Sequence, residues 1–169
     1  MKSLLIALLA VTILAKGPGL RFGHSSESTI LDDFLTGLLF GVGDYGFYSD
    51  LLDCAGSNWA NDLAMIRTYF QSLDESSQTN VENRLSTVAE TWSYLGAKYS
   101  ACATMYPTLT SVFNAIVSFD VDTGVVHFQQ EGTTFHNYLQ TATTNYDRSS
   151  FMTFGMYVGM FYKKLLTTV

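Results

Sequence analysis

Hydrophobic residues recur at the spacing of an α-helix along most of this chain. Two segments show the pattern most clearly, because their apolar positions step by four and three residues in turn: Val81, Leu85, Val88, Trp92, Leu95, Tyr99 and Cys102 in one, and Trp59, Leu63, Ile66, Phe70 and Leu73 in the other. Such steps place the apolar side chains on one face of a helix. Each segment therefore predicts an amphipathic helix that packs against others.

Further helices are predicted on both sides of these two. A first helix is expected to begin near Thr29, because Thr29 and Asp32 have the spacing of a capping box. Gly41, Gly43 and Gly46 predict a kink or break in it. Later helices are expected from Pro107, from near Thr133 and from near Phe151, whereas residues 120–132 are expected to be irregular. The predicted fold class is all-α, a bundle of five to six amphipathic helices in one domain, residues 29–169.

The N-terminus has the three parts of a secretory signal peptide. Lys2 supplies a positive charge, residues 4–14 are apolar apart from Thr12, and Ala15 is a small residue at the expected cleavage position. The apolar run is too short to cross a bilayer as a helix. We therefore predict a signal peptide at residues 1–15, a flexible arm rich in Gly and Ser at residues 16–28, and a product that is secreted or stays in the lumen of the secretory pathway.

Secretion changes the expectation for the two cysteines, Cys54 and Cys102. An even pair of cysteines in an oxidising compartment is expected to form a disulfide, and this is the favoured prediction. The alternative is a pair of buried free thiols, since an unpaired cysteine behaves as a small hydrophobic residue.

Composition and charge narrow the classes of partner. Apolar residues make up 47% of the chain and aromatic residues 14%, which is too many for a disordered chain. The formal net charge is −6, and removal of the leader makes it more negative. We find no basic stripe, so nucleic acid is not an expected partner.

Two G-x-x-x-G motifs lie in the first and last predicted helices. They are formed by Gly37 with Gly41 and by Gly155 with Gly159. Glycines at this spacing let two helix backbones approach closely, and in lipid they form a dimerisation face. Neither segment is long and apolar enough to predict a stable membrane span. We interpret the motifs as close packing between the terminal helices or as a contact surface.

Methionine and aromatic residues form a possible contact face on the same two helices. Met152, Met156 and Met160 recur every fourth residue on the last helix. Thioethers favour Cu(I), but core packing or a pliable surface for apolar partners explains the stripe better. Aromatic side chains with a polar tip are common at interfaces. The predicted face comprises Phe34, Tyr45, Tyr48, Met152, Met156, Met160, Tyr157 and Tyr162.

No metal, cofactor or catalytic site is predicted. Asp120, Asp122 and Glu131 fall at positions 1, 3 and 12 of a calcium loop, but Val125 stands where that loop requires glycine. The sequence leaves calcium binding by residues 120–131 open. His24, His127 and His136 share no helical face at ligand spacing, and no G-x-S-x-G motif occurs. A hydrolase is the third alternative and requires His127 or His136 beside a Ser or Asp in a cleft.

Two short motifs carry a resemblance to other proteins. The first helix contains F-x-x-G-x-x-x-G at residues 34–41, and Leu-Leu-x-Cys follows at residues 51–54. Together with the leader, this organisation resembles uncharacterised small secreted helical proteins of ciliated protists. The resemblance implies a secreted helical fold and carries no known activity or site.

These observations favour a secreted, non-enzymatic structural or interaction protein. It is expected to bind a protein partner or to self-assemble, as a subunit of an extracellular assembly. The alternative is a carrier that holds a small apolar ligand or lipid in a cavity between helices.

Overall fold

The computed structural model describes residues 27–45, 59–74, 80–100 and 107–167, and these residues form seven helices and no strand. The all-helical prediction is therefore confirmed. In chain order the helices are α1 (Glu27–Val42), α2 (Trp59–Asp74), α3 (Val81–Lys98), α4 (Pro107–Val117), α5 (Val121–Gln130), α6 (Gly132–Asp147) and α7 (Phe151–Leu166).

The apolar stripes of α2 and α3 lie where their spacing predicts. All five stripe residues of α2 are buried, and so are the six described stripe residues of α3, from Val81 to Tyr99. On α4 the stripe is buried except for Val117, which is 42% exposed in the last turn. Burial of one face on each helix, and not local propensity alone, gives these helices most of their stability.

The prediction of an irregular stretch at residues 120–132 is wrong, since residues 121–130 form α5. This helix is the one beyond the five to six predicted. Asp120 caps it by accepting a hydrogen bond from the backbone N–H of Thr123 at 3.2 Å. Phe128 is buried in the core on its inner face. Gly124 and three valines, Val121, Val125 and Val126, lower its intrinsic helix propensity, so the capping and the burial decide its structure.

Helix α1 ends at Val42, directly before one of the glycines that predict a break. Gly43 has φ +97°, a left-handed conformation that favours glycine. Its N–H donates to the carbonyl of Phe40 at 3.0 Å, and the N–H of Asp44 donates to the carbonyl of Leu39 at 2.9 Å. These two bonds form a Schellman motif. At its other end α1 begins at Glu27, two residues before Thr29.

Helix α7 lies at the centre of the core. Its Phe161 ring is 5.0 Å from Phe70 of α2 and 5.3 Å from Phe135 of α6. The neighbouring Tyr162 ring lies 5.0 Å from Trp92 of α3. Burial raises the pKa of the Tyr162 hydroxyl, and the adjacent Trp92 side chain offsets part of this shift. These ring contacts join α7 to α2, α3 and α6.

The turn between α6 and α7 repeats the geometry of the α1 terminus without a glycine. Ser149 has φ 57°, and its N–H donates to the carbonyl of Tyr146 at 2.9 Å. The N–H of Ser150 donates to the carbonyl of Asn145 at 2.9 Å, which completes a second Schellman motif. A side chain in this conformation costs about 1–2 kcal/mol relative to glycine.

Replacing Ser149 with glycine is therefore expected to raise the free energy of unfolding by about 1 kcal/mol, as measured by urea denaturation. The matched control is Ser150→Gly, because Ser150 has an ordinary φ of −91°. That control is expected to lower stability by about 0.3 kcal/mol. Equal effects of the two changes would show that the left-handed turn does not strain Ser149.

Several predictions concern residues that the structure does not describe. Residues 1–26, with the predicted leader, lie outside the described part of the chain, as do Tyr48, Cys54 and Cys102. The disulfide between the two cysteines therefore stays a prediction.

Candidate binding groove

The two G-x-x-x-G motifs face each other in the structure. A Cβ atom added to Gly37 would lie 2.8 Å from the backbone nitrogen of Met156, and one added to Gly155 would lie 2.9 Å from that of Leu38. Both would come closer still to a carbonyl oxygen of the other helix. The backbones of α1 and α7 are thus in direct contact, because neither glycine carries a side chain.

The contacts also fix the direction of the pair. Gly37 lies beside Met152 and Met156, and Gly41 lies beside Met156 and Met160. Residue numbers rise together along both helices, so α1 and α7 run parallel. Their C-terminal ends therefore lie at the same end of the bundle.

An open groove follows the contact between α1 and α7 towards these C-terminal ends. Its volume is about 520 Å³. Helix α6 contributes one wall through Tyr138, and Tyr45, just beyond α1, is 77% exposed. Most of the lining side chains are aromatic or thioether groups: Phe40, Gly41, Tyr45, Tyr138, Met156, Tyr157, Met160, Lys163, Lys164 and Thr167.

Both charged side chains that line the groove are lysines. Lys163 is exposed, and its ammonium would lie 2.9 Å from a Cβ atom added to Gly43. Lys164 forms an ion pair with Glu131, with 2.6 Å between Nζ and Oε1. The hydrogen bond from Lys164 holds the pKa of the Glu131 carboxyl below its usual range. Among the described acidic residues, none forms an ion pair with Lys163.

The structure brings four of the eight predicted contact residues together in this groove: Tyr45, Met156, Tyr157 and Met160. Met152 is partly exposed on the same helix. Phe34 and Tyr162 are buried in the core, with exposed fractions of 2% and 1%, so they are not at the surface. Tyr48 lies outside the described residues.

Sequence reasoning missed the groove's two lysines, although a signal was present. Lys163 and Lys164 follow Met160 by three and four residues, so they extend the methionine stripe along the same side of α7. Cations in the last turns of a helix also complement the helix dipole, so their position alone does not indicate a binding site.

A buried polar cluster joins α2 to α3 beside a small enclosed cavity. The Asp62 carboxylate accepts hydrogen bonds from Lys98 Nζ at 2.5 Å and from the Tyr99 hydroxyl. Burial, and then the hydrogen bond to Asp62, raise the pKa of Tyr99. The cavity is lined mainly by apolar side chains and has a volume of about 10 Å³. That is space for one water molecule.

Four of the residues considered for metal binding or catalysis have partners in the structure, and one of them, His136 beside Asp74, forms the kind of pair that the hydrolase alternative requires. Asp120 caps α5, and Glu131 pairs with Lys164. His127 Nδ1 lies 3.1 Å from the carbonyl oxygen of Leu165, and His136 Nδ1 lies 2.6 Å from the Asp74 carboxylate. Within the four described ranges, no group of three or more His, Cys, Asp or Glu side chains is placed to hold a metal ion.

No single described helix combines the length and the apolar composition that a membrane span requires. Helices α4 and α5 together have the required length and apolar composition, but the chain bends by 91° between them.

The fold and the groove define a helical bundle with an open, largely apolar surface groove of the volume range of binding sites. Comparisons of the chain with protein-family models, curated proteins and solved structures found no match.

Proposed function

We propose that this chain is a secreted, non-enzymatic protein that acts by binding other proteins, including copies of itself, as a subunit of an extracellular assembly. One observation carries the proposal: Tyr45, Met156, Tyr157 and Met160 converge on one open groove. These residue types are enriched at protein interfaces, and an exposed tyrosine is a typical energetic anchor.

The construction of the groove supports binding to a protein surface. Its floor follows the contact between α1 and α7, where backbone packs on backbone. A rigid floor reduces the ordering cost of association. Methionine side chains adapt their shape to different apolar partners. The groove thus combines a fixed base with a pliable wall.

Tyr45 is the residue whose loss tests the proposal. We expect the chain without residues 1–15 to associate as its concentration rises, as measured by light scattering. Tyr45→Ser is expected to weaken that association by about tenfold, because large interface aromatics contribute more than 1 kcal/mol. The control is Tyr94→Ser, which alters a tyrosine that is 54% exposed on α3 and does not line the groove.

Equal dissociation constants for the Tyr45 and Tyr94 variants would show that the groove is not part of the contact between copies of the chain. A monomer of the chain mass at all concentrations would exclude self-association. Cross-linking through a photoreactive group placed at Tyr45, in the natural extracellular fluid, then tests for a different protein partner.

The second function is the binding of a small apolar ligand, and the volume of the same groove favours it. About 520 Å³ lies within the range of small-molecule sites, whereas the enclosed cavity of about 10 Å³ is far below it. Native mass spectrometry of the purified protein distinguishes the two functions. A co-purifying small molecule that is lost in Tyr45→Ser supports a carrier.

A disulfide between Cys54 and Cys102 belongs to the same proposal, since a secreted chain folds in an oxidising compartment. The intact mass of the protein, measured before and after reduction, tests this pair.

A further inference from the structure

We propose that the partner segment bound by the groove carries a carboxylate beside its apolar side chains, and that Lys163 is the first group to pair with it. This inference rests on the proposed function, because it names the chemistry of the partner for the same groove. Two features carry it: the sign of the charges that line the groove and the different states of its two lysines.

The sign of the lining charges is unusual for this chain. The sequence has 15 acidic and 9 basic residues, yet both charged residues that line the groove are lysines. At physiological ionic strength, charges act over about 8 Å. A partner therefore experiences Lys163 most strongly, because Glu131 offsets the charge of Lys164. An apolar segment with a carboxylate at one end matches this groove, because its wall is formed by thioether and aromatic side chains and its lysines lie at one end.

The two lysines are not equivalent. Lys164 already has a carboxylate partner, since Glu131 lies 2.6 Å away. Lys163 is exposed and has no ion pair with a described acidic residue, so an incoming carboxylate pairs with it at the lowest cost. Lys163 also lies beside Gly43, where the carbonyl groups at the α1 C-terminus offset part of its charge. The expected contribution is therefore that of an exposed ion pair, a fewfold change in affinity.

If Lys163 pairs with the partner's carboxylate before Lys164 does, changes in charge at the two lysines affect peptide binding differently. Fluorescence anisotropy measures binding of a short dye-labelled peptide, Leu-Phe-Leu-Phe-Asp-Asp, and of its match with Asn in place of Asp. The acidic peptide is expected to bind more tightly, and added salt is expected to weaken it selectively. Lys163→Gln is expected to weaken the acidic peptide about threefold and to leave the Asn peptide unchanged.

Glu131→Gln gives the opposite result, because it releases Lys164 for the partner: the acidic peptide is expected to bind about twofold more tightly. The control is Arg84→Gln, which removes an exposed cation from α3 and is expected to change neither peptide. Thermal unfolding of each variant shows whether the fold is intact, so that a lost affinity is assigned to the charge.

Equal binding of the two peptides, or an unchanged affinity in Lys163→Gln, would overturn the inference. So would the absence of binding by the acidic peptide up to about 1 mM. These results leave the proposed function standing if Tyr45→Ser still weakens association in light scattering. The two failures are therefore distinguishable.

Discussion

Replacing Gly155 with alanine is expected to lower the free energy of unfolding by about 3 kcal/mol. The added Cβ would lie 2.9 Å from the backbone nitrogen of Leu38 and closer still to the carbonyl oxygen of Phe34. Backbone atoms cannot rotate away as a flexible side chain can, so α1 and α7 must separate. The better helix propensity of alanine, about 1 kcal/mol, offsets only part of this loss. Urea denaturation followed by circular dichroism measures the change.

The control for this prediction is Gly132→Ala at the start of α6. A Cβ atom there would meet nothing within 4 Å, so the change is expected to be neutral or to stabilise by up to about 1 kcal/mol. Gly37→Ala provides a second test from the α1 side, where the obstructing atoms are again backbone atoms of α7. If Gly155→Ala were as stable as Gly132→Ala, the close approach of α1 and α7 would be wrong.

Loss of Lys98 is expected to cost about 2 kcal/mol, because it leaves the Asp62 carboxylate buried without its cation. Asp62 is 5% exposed and sits 2.5 Å from Lys98 Nζ. Breaking a fully buried ion pair costs about 3–5 kcal/mol. The Lys98 side chain is 24% exposed, so water replaces part of the lost interaction and the estimate is reduced. Chemical denaturation of Lys98→Met checks this value.

Removing the whole polar cluster separates the cost of an unpaired charge from the cost of a lost contact. The triple change Asp62→Leu, Lys98→Met and Tyr99→Phe leaves neither a charge nor an unpaired hydroxyl. It is expected to recover most of the stability lost in Lys98→Met, since apolar packing often replaces a buried ion pair without loss. A triple variant less stable than Lys98→Met would show that the cluster stabilises the α2–α3 contact by itself.

The helices that the sequence predicts are those in which pattern and propensity agree. Helices α2 and α3 step by four and three apolar residues, and their stripes are buried as expected. Helix α5 was missed because Gly124 and its valines argue against a helix when they are considered alone. The N-cap at Asp120 and the burial of Phe128 stabilise it, and only the second of these depends on the rest of the fold.

The sequence predicts the groove only in part, because exposure of a side chain also depends on which helix packs against it. The glycine motifs and the methionine stripe indicate which sides of α1 and α7 matter. They do not say which large residues on those helices stay at the surface: Phe34 and Tyr45 are both aromatic, but one is buried and the other is 77% exposed. That difference arises from α7 covering Phe34, whose ring lies 5.2 Å from Phe154. The hydrophobic pattern alone does not indicate this neighbour; only the two G-x-x-x-G motifs predict that the terminal helices pack together, and the structure confirms that contact.

The ion pair between Asp62 and Lys98 could not be predicted from the sequence either. The two residues are far apart along the chain and lie at the edges of the apolar stripes of their helices. Their pairing depends on how α2 and α3 cross. No local signal in either helix reports that crossing.

The placement of α7 has a consequence for the order of events during synthesis. A ribosome makes α1 first and α7 last, and yet these two helices form the closest backbone contact described in the bundle. Until α7 emerges, the rings of Phe70, Trp92 and Phe135 lack their central partner. Contacts between residues distant in sequence slow folding and leave apolar surface exposed meanwhile. The nascent chain is thus expected to depend on a chaperone until its last helix is complete.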